Sequence, residues 1–81
     1  MYFVYMLRCG DGSFYTGFTN DPVRRTAVHN SGKGAKCTRA RLPVELVYTE
    51  PFDEKSAALK REAALKRLTH GQKESLIRQI R

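Results

Sequence analysis

Five side chains remain once the residues that a small domain needs for its core and turns are set aside: Tyr5, Tyr15, Arg25, His29 and Glu62. Phosphodiester hydrolysis calls for their types. An attacking water must lose a proton, the charge building on the phosphoryl oxygens must be offset, and the leaving oxygen must be stabilised. A tyrosine whose pKa is lowered by nearby positive charge can act as general base. Arg25 can grip the scissile phosphate through its planar guanidinium. Glu62 can hold a hard divalent cation such as Mg²⁺, which prefers oxygen ligands and keeps several waters. Singly, each residue has an ordinary explanation. Strand tyrosines pack half-buried, Arg25 fits a solvated helix charge, Glu62 fits an i,i+4 partner of Lys66, and His29 fits a cation near a helix C-terminus. The chemistry therefore depends on elements that bring the five together.

Tyr2 to Arg8 is rich in β-branched and aromatic residues, and the turn Gly10-Asp11-Gly12 leads into a similar run, Ser13 to Thr19. Together they predict a β-hairpin in which Tyr5 and Tyr15 are cross-strand neighbours. Asp21-Pro22 supplies a cap and a proline at the first helical position, so Val23 to Asn30 reads as a helix. Arg25 and His29, four apart, share one of its faces. Ser31 to Arg41 is basic, carries glycine and lacks an apolar period, which reads as a loop. Val44 to Thr49 is a third strand, ended by Pro51. Asp53 is placed to cap a long helix through Thr69 that stops at Gly71, with a last helix over Gln72 to Ile80. Ala57, Ala58, Ala64, Leu65 and Leu68 fall on one side of the long helix and should pack on the sheet. Arg61 projects into that arc, its stem expected to snorkel past the core, the alternative being that its guanidinium reaches a partner such as a phosphate, and Glu62 lies at the arc's edge. The order β-β-α-β-α-α defines a small α+β fold, a three-stranded antiparallel sheet flanked by helices.

With 81 residues the chain has room for one domain, 1–81, and one modest core. Fifteen Lys+Arg against eight Asp+Glu give a net charge of +7, an excess that attracts polyanions. Nucleic acid is the implied partner, although composition by itself names no activity. Met1 to Leu7 is apolar but short and runs straight into Arg8, which fits neither a signal peptide nor a membrane span. No membrane partner and a cytoplasmic location are expected. Cys9 and Cys37 form no CxxC pair and are expected as free thiols. With His29 and His70 they match no standard zinc spacing.

Val4-Tyr5-Met6, then Tyr15-Thr16-Gly17 and Arg25 ten residues beyond Tyr15, resemble the pattern of the GIY-YIG nuclease family. The likeness runs through His29 to Glu62, over residues 2 to about 68, and is greatest to small single-domain bacterial members. In these a segment like Gly34-Ala35-Lys36-Cys37-Thr38 precedes the third strand. The resemblance implies the motif tyrosines side by side at Tyr5 and Tyr15, Arg25 on the phosphate, and His29 where some members carry tyrosine. It also implies Glu62 as sole protein ligand of one divalent ion, Mg²⁺ or Mn²⁺, and Gly17 as the glycine that permits close approach. Phe3, Val4 and Thr16 depart from the motif at mostly core-facing positions. Homing and restriction members carry a late asparagine and a separate DNA-reading domain. No asparagine follows Asn30 here. The implied activity is endonuclease cleavage of DNA rather than RNA, structure-selective or non-sequence-specific, in repair or recombination, with a protein partner supplying targeting. The competing readings are a silent nucleic-acid-binding module and an interaction protein.

Lys33, Lys36, Arg39 and Arg41, four of the fifteen basic residues, are expected to bind the phosphate backbone without reading sequence. Each neutralised phosphate releases counterion, so log affinity should fall linearly with log salt. Replacing two of the four by neutral residues should flatten that slope by roughly two units, measured by anisotropy on labelled DNA. An unchanged slope would place the phosphate contacts elsewhere.

Overall fold

Val4, Tyr5, Met6 and Leu7 are all buried, which requires a covering layer on each face of their strand. The computed structural model describes residues 1–79, the Cys37 side chain excepted. Strand β1 (Tyr2–Arg8) lies between β2 (Phe14–Thr19) and β3 (Glu45–Phe52), antiparallel to both, in the order β2-β1-β3. The helices are α1 (Pro22–Asn30), α2 (Lys36–Arg39), α3 (Lys55–Lys66) and α4 (His70–Gln79). Val4 and Met6 pack with Val47 and Tyr48 of β3, Ala58 and Leu65 of α3, and Ile77 of α4. Tyr5 and Leu7 join Cys9 and Val44 in a second cluster, fringed by Tyr15, Leu42 and Leu46. Alternation along one central strand thus sends the tyrosine one way and the main core the other. Among the described residues no helix is long and apolar enough to cross a membrane.

The α+β architecture and the order of the principal elements match the sequence reading; the boundaries differ where local chemistry was misjudged. The basic segment taken as a loop contains the one-turn helix α2. The third strand does not end before Pro51 but continues to Phe52, with Pro51 paired to Phe3. An edge strand tolerates the missing donor. Glu54, not Asp53, is the cap residue of α3, and it makes no side-chain cap bond. That helix ends at Lys66 rather than Thr69, because Thr69 and Gln72 form a reciprocal cap that starts α4: Gln72 N donates to Thr69 Oγ1 at 3.2 Å and Thr69 N to Gln72 Oε1 at 2.9 Å. Gly71 therefore sits inside the first turn of α4 instead of stopping α3. The far end expected at Ile80 lies outside the described residues, as does the Cys37 thiol in the free-thiol expectation; Cys9 is buried and free.

On α3 the apolar side is narrower than expected, since Ala64 is exposed while Ala58 and Leu65 are buried. Arg61 does not snorkel to solvent. Its Nε donates to Glu50 Oε1 of β3 at 2.8 Å. On the opposite face Asn30 ends α1 with a two-point grip on Val44, accepting from its N at 2.8 Å and donating to its O at 3.0 Å.

This assignment of faces separates two substitutions. Leu65→Ala should cost about 2–5 kcal/mol by leaving a cavity against β1, whereas Ala64→Gln should stay within about 0.5 kcal/mol. Denaturant unfolding of both variants checks this, and comparable losses would mean that the helix is rotated.

Candidate active site

Tyr5 stands opposite Gly17 in the β1–β2 ladder and Tyr15 opposite Leu7. The two tyrosines are therefore cross-strand neighbours, as their distances from the turn suggested, and stand diagonally on one face. Their ring centroids are 6.3 Å apart and tilted by 48°. Diagonal packing is possible because the Tyr5 ring lies across Gly17: a Cβ there would fall 2.6 Å from both Cζ and the hydroxyl oxygen of Tyr5. The glycine is required by this close approach; no unusual backbone angle is involved.

The α1 helix delivers His29 beneath these rings. Asp21 caps it by accepting from Arg24 N at 3.1 Å, and Pro22 opens the first turn. His29 follows in the last turn, wholly buried. Its Nε2 is 3.1 Å from the Tyr5 hydroxyl and its Nδ1 is 2.8 Å from Thr38 Oγ1. The imidazole centroid is 5.1 Å from the Tyr15 ring. Gly34 makes room, since a Cβ there would collide with Nδ1 and Cγ of His29. An exposed helix-end cation is not what the fold builds: burial first, and the charge of Arg25 second, depress the pKa of His29 below its ordinary 6.5. Thr38, equally buried, is the contact that sequence reasoning missed. It lay in a segment read as a loop, and only recognition of the α2 turn would have aimed it inward.

Arg25 lies one turn before His29 and is half-buried. Burial pushes the Tyr5 phenol up to about 12; Arg25 opposes this, while Tyr15 and the Glu62 carboxylate add to it. At Tyr5, then, burial outweighs the guanidinium, and the charge of Arg25 does not bring this phenol below its ordinary range. The Glu62 carboxylate on α3 is the last-ranked of the charges that act on it. The Glu62 side chain is only 19% exposed and pairs with Lys66 Nζ at 3.4 Å, as its i,i+4 spacing suggested. Among the described residues no three His, Cys, Asp or Glu side chains cluster into a metal cage.

The sequence pattern of the GIY-YIG catalytic domain matches residues 1–75. The chain belongs to the GIY-YIG family. It is 54% identical over 76 residues to a UPF0213 protein of Halobacterium salinarum, covering 94% of this chain and 99% of that one. It is 55% identical over 75 residues to a UPF0213 protein of Streptococcus pneumoniae, covering 93% and 76%. Two solution NMR structures share the fold. The UPF0213 protein of Bacillus halodurans aligns with a TM-score of 0.60 at 49% identity, covering 95% of this chain and 83% of that one. A protein of E. faecalis aligns at 0.64 with 48% identity, covering 98% and 84%.

Around the GIY-YIG centre the surface is open and basic. A cavity of about 490 Å³ is lined by Thr19, Asn20, Asp21, Arg24, Arg25 and Val28. Of the five candidate residues Arg25 alone lines it, so the five converge without sharing one cavity wall. Lys33, Lys36, Arg39 and Arg41 are exposed. Lys36 and Arg39 lie on α2 with Thr38, so two of these cations belong to the element that meets the imidazole. Arg41 Nε is drawn away to Asp11 Oδ2, at 3.3 Å.

The depressed pKa of His29 has a consequence for stability. As pH falls through 6.5 the unfolded chain takes up a proton that the folded imidazole resists, so stability present above 6.5 is lost progressively below it. Denaturation midpoints should decline from about pH 7.5 to about pH 5 in the parent, and His29→Gln should flatten that decline. An identical decline in both proteins would show that His29 is freely protonated when folded.

Proposed function

We propose that this GIY-YIG protein is a metal-dependent endonuclease that hydrolyses phosphodiester bonds in DNA, selecting by structure rather than by sequence. The observation that carries the reading is the hydrogen bond between the Tyr5 hydroxyl and a buried imidazole, with the charges of Arg25 and Glu62 both acting on the same phenol. Arg25 opens onto the surface cavity and is placed to hold the scissile phosphate as charge grows on its oxygens. With a pKa near 12, Tyr5 is not a standing phenolate at neutral pH. It can still activate water by relay, taking the water proton on its oxygen while passing its own proton to Nε2 of His29, which burial keeps uncharged and able to accept. The water oxygen then bonds to phosphorus as the P–O bond to the leaving oxygen breaks.

Glu62 is the residue to hold one Mg²⁺ or Mn²⁺. A single, mostly buried carboxylate that belongs to no cluster of three His, Cys, Asp or Glu among the described residues suits an ion that keeps most of its waters, and suits poorly an ion needing an all-protein cage. When bound, the ion would offset phosphoryl charge and acidify its waters. Lys66 would have to yield Glu62, a partly exposed pairing worth under about 1 kcal/mol. That occupied carboxylate also favours the second reading, a nucleic-acid-binding module without turnover. A role in repair or recombination, with targeting by a protein partner, would fit a chain whose exposed cations are suited to backbone rather than base-edge contacts.

Nicking of supercoiled, single-stranded and branched DNA, with Mg²⁺, Mn²⁺ or chelator, tests the proposal, with matched RNA as competitor. Glu62→Gln should lower cleavage by at least about 10²-fold with DNA binding nearly intact, because it keeps shape and removes only the charge. Arg25→Ala should weaken cleavage and binding together. Cleavage by Glu62→Gln at the parent rate in saturating metal would remove Glu62 from the mechanism, and its absence from the parent on all substrates would favour the binding module.

A further inference from the structure

Three hydrogens and their acceptors are sealed together beneath the site: those of the Tyr5 hydroxyl, one imidazole nitrogen of His29, and the Thr38 hydroxyl. Tyr5 is 1% exposed, and His29 and Thr38 are fully buried, so in the resting fold their hydrogens are paired within the set. Thr38 Oγ1 lies 2.8 Å from His29 Nδ1 and donates to Ala35 O, also at 2.8 Å. A hydroxyl has one hydrogen. If that hydrogen is committed to Ala35 O, then Nδ1 must carry the imidazole hydrogen and give it to Thr38. Nε2 is left bare, and the Tyr5 hydroxyl donates to it across 3.1 Å. Every hydrogen then has an acceptor. In the opposite polarity Thr38 would donate to Nδ1 and Nε2–H to Tyr5. The Tyr5 hydrogen would then have no acceptor among the hydrogen bonds of the described residues, and buried polar groups seldom go unpaired.

We infer that Thr38 is a positioning residue that fixes the tautomer of His29, holding hydrogen on Nδ1 so that Nε2 stays open to the proton of Tyr5. It acts through the imidazole and touches no substrate. The α2 turn is built to hold it. Thr38 N and Arg39 N both donate to Ala35 O, at 3.1 and 3.2 Å, so the carbonyl that orients the hydroxyl is itself fixed by the helix. Gly34, just before, admits the imidazole edge. A threonine hydroxyl at this point does for His29 what an acceptor behind a catalytic histidine does in general: it decides which nitrogen is free.

The inference uses the nuclease reading for one of its two readouts and is independent of it for the other. Long-range ¹H–¹⁵N spectra of the intact protein at neutral pH resolve the ring nitrogens of its two histidines, His29 and His70. His70, whose Nε2 meets Gly12 O on the surface, serves as internal control. The parent should show His29 with Nδ1 protonated and Nε2 bare. Thr38→Val, which keeps the shape and deletes the acceptor, should shift His29 toward the Nε2–H form and slow nicking by roughly 10²-fold. Thr38→Ser should retain the parent tautomer and most of the rate, a rescue that simple packing would not give. A parent spectrum with Nε2–H, or an unchanged His29 tautomer in Thr38→Val, overturns the inference. The parent and Thr38→Ser spectra decide the matter even if Thr38→Val does not fold. The expected tautomer response in a protein that nicks nothing would sink the nuclease reading and leave the role of Thr38 standing.

Discussion

The burial of one imidazole is the constraint on which the arrangement turns. His29 belongs to α1, meets β1 through Tyr5 and meets α2 through Thr38. Three elements are thereby tied together through one side chain. The contact is costly to build, since a ring with two polar atoms must leave water and find partners for both. It is also intolerant of bulk: Gly34 must lack a side chain for the ring to seat, and Gly17 must lack one for the Tyr5 phenol to reach it. The two glycines frame the rings from opposite sides.

A tension between long-range and short-range electrostatics follows. The chain carries +7, a field suited to drawing in a polyanion from solution. At the centre of that field sit a phenol raised to about 12 and an imidazole whose protonation is disfavoured. Desolvation is the leading cause in both cases, overriding the guanidinium of Arg25 at Tyr5 and reinforced by it at His29, because removing a group from water acts at contact whereas charges nearer the surface are screened. Cations outside attract the substrate, and neutral groups inside are left able to exchange protons.

The hairpin, the helix carrying Arg25 and His29, and the long helix carrying Glu62 were legible because each rests on local signals: Gly10-Asp11-Gly12, Asp21-Pro22, and the apolar period through Ala58 and Leu65. What escaped was of two kinds. Some signals were present but outweighed. Thr69-x-x-Gln72 is a capping-box pattern, yet Gly71 beside it reads as a stop; Pro51 reads as a strand end unless the strand is known to lie at an edge. Other features are not local at all. The diagonal placing of Tyr5 and Tyr15 depends on register, the exposure of Ala64 on how α3 is rotated, and the inward aim of Thr38 on a single helical turn inside a basic segment. The electrostatic state of Tyr5 was not legible for the same reason, since depth of burial is a property of the packed layers.

Arg61 and Glu62 are neighbours on α3 with different partners. Successive helical residues point about 100° apart, and here one is tied to Glu50 on β3 while the next is the carboxylate that pairs with Lys66. The helix is in effect an axle with two spokes. The ion pair of Arg61 and the close packing of Ala58 and Leu65 on the sheet together set the rotation of that axle, and with it the direction in which Glu62 projects.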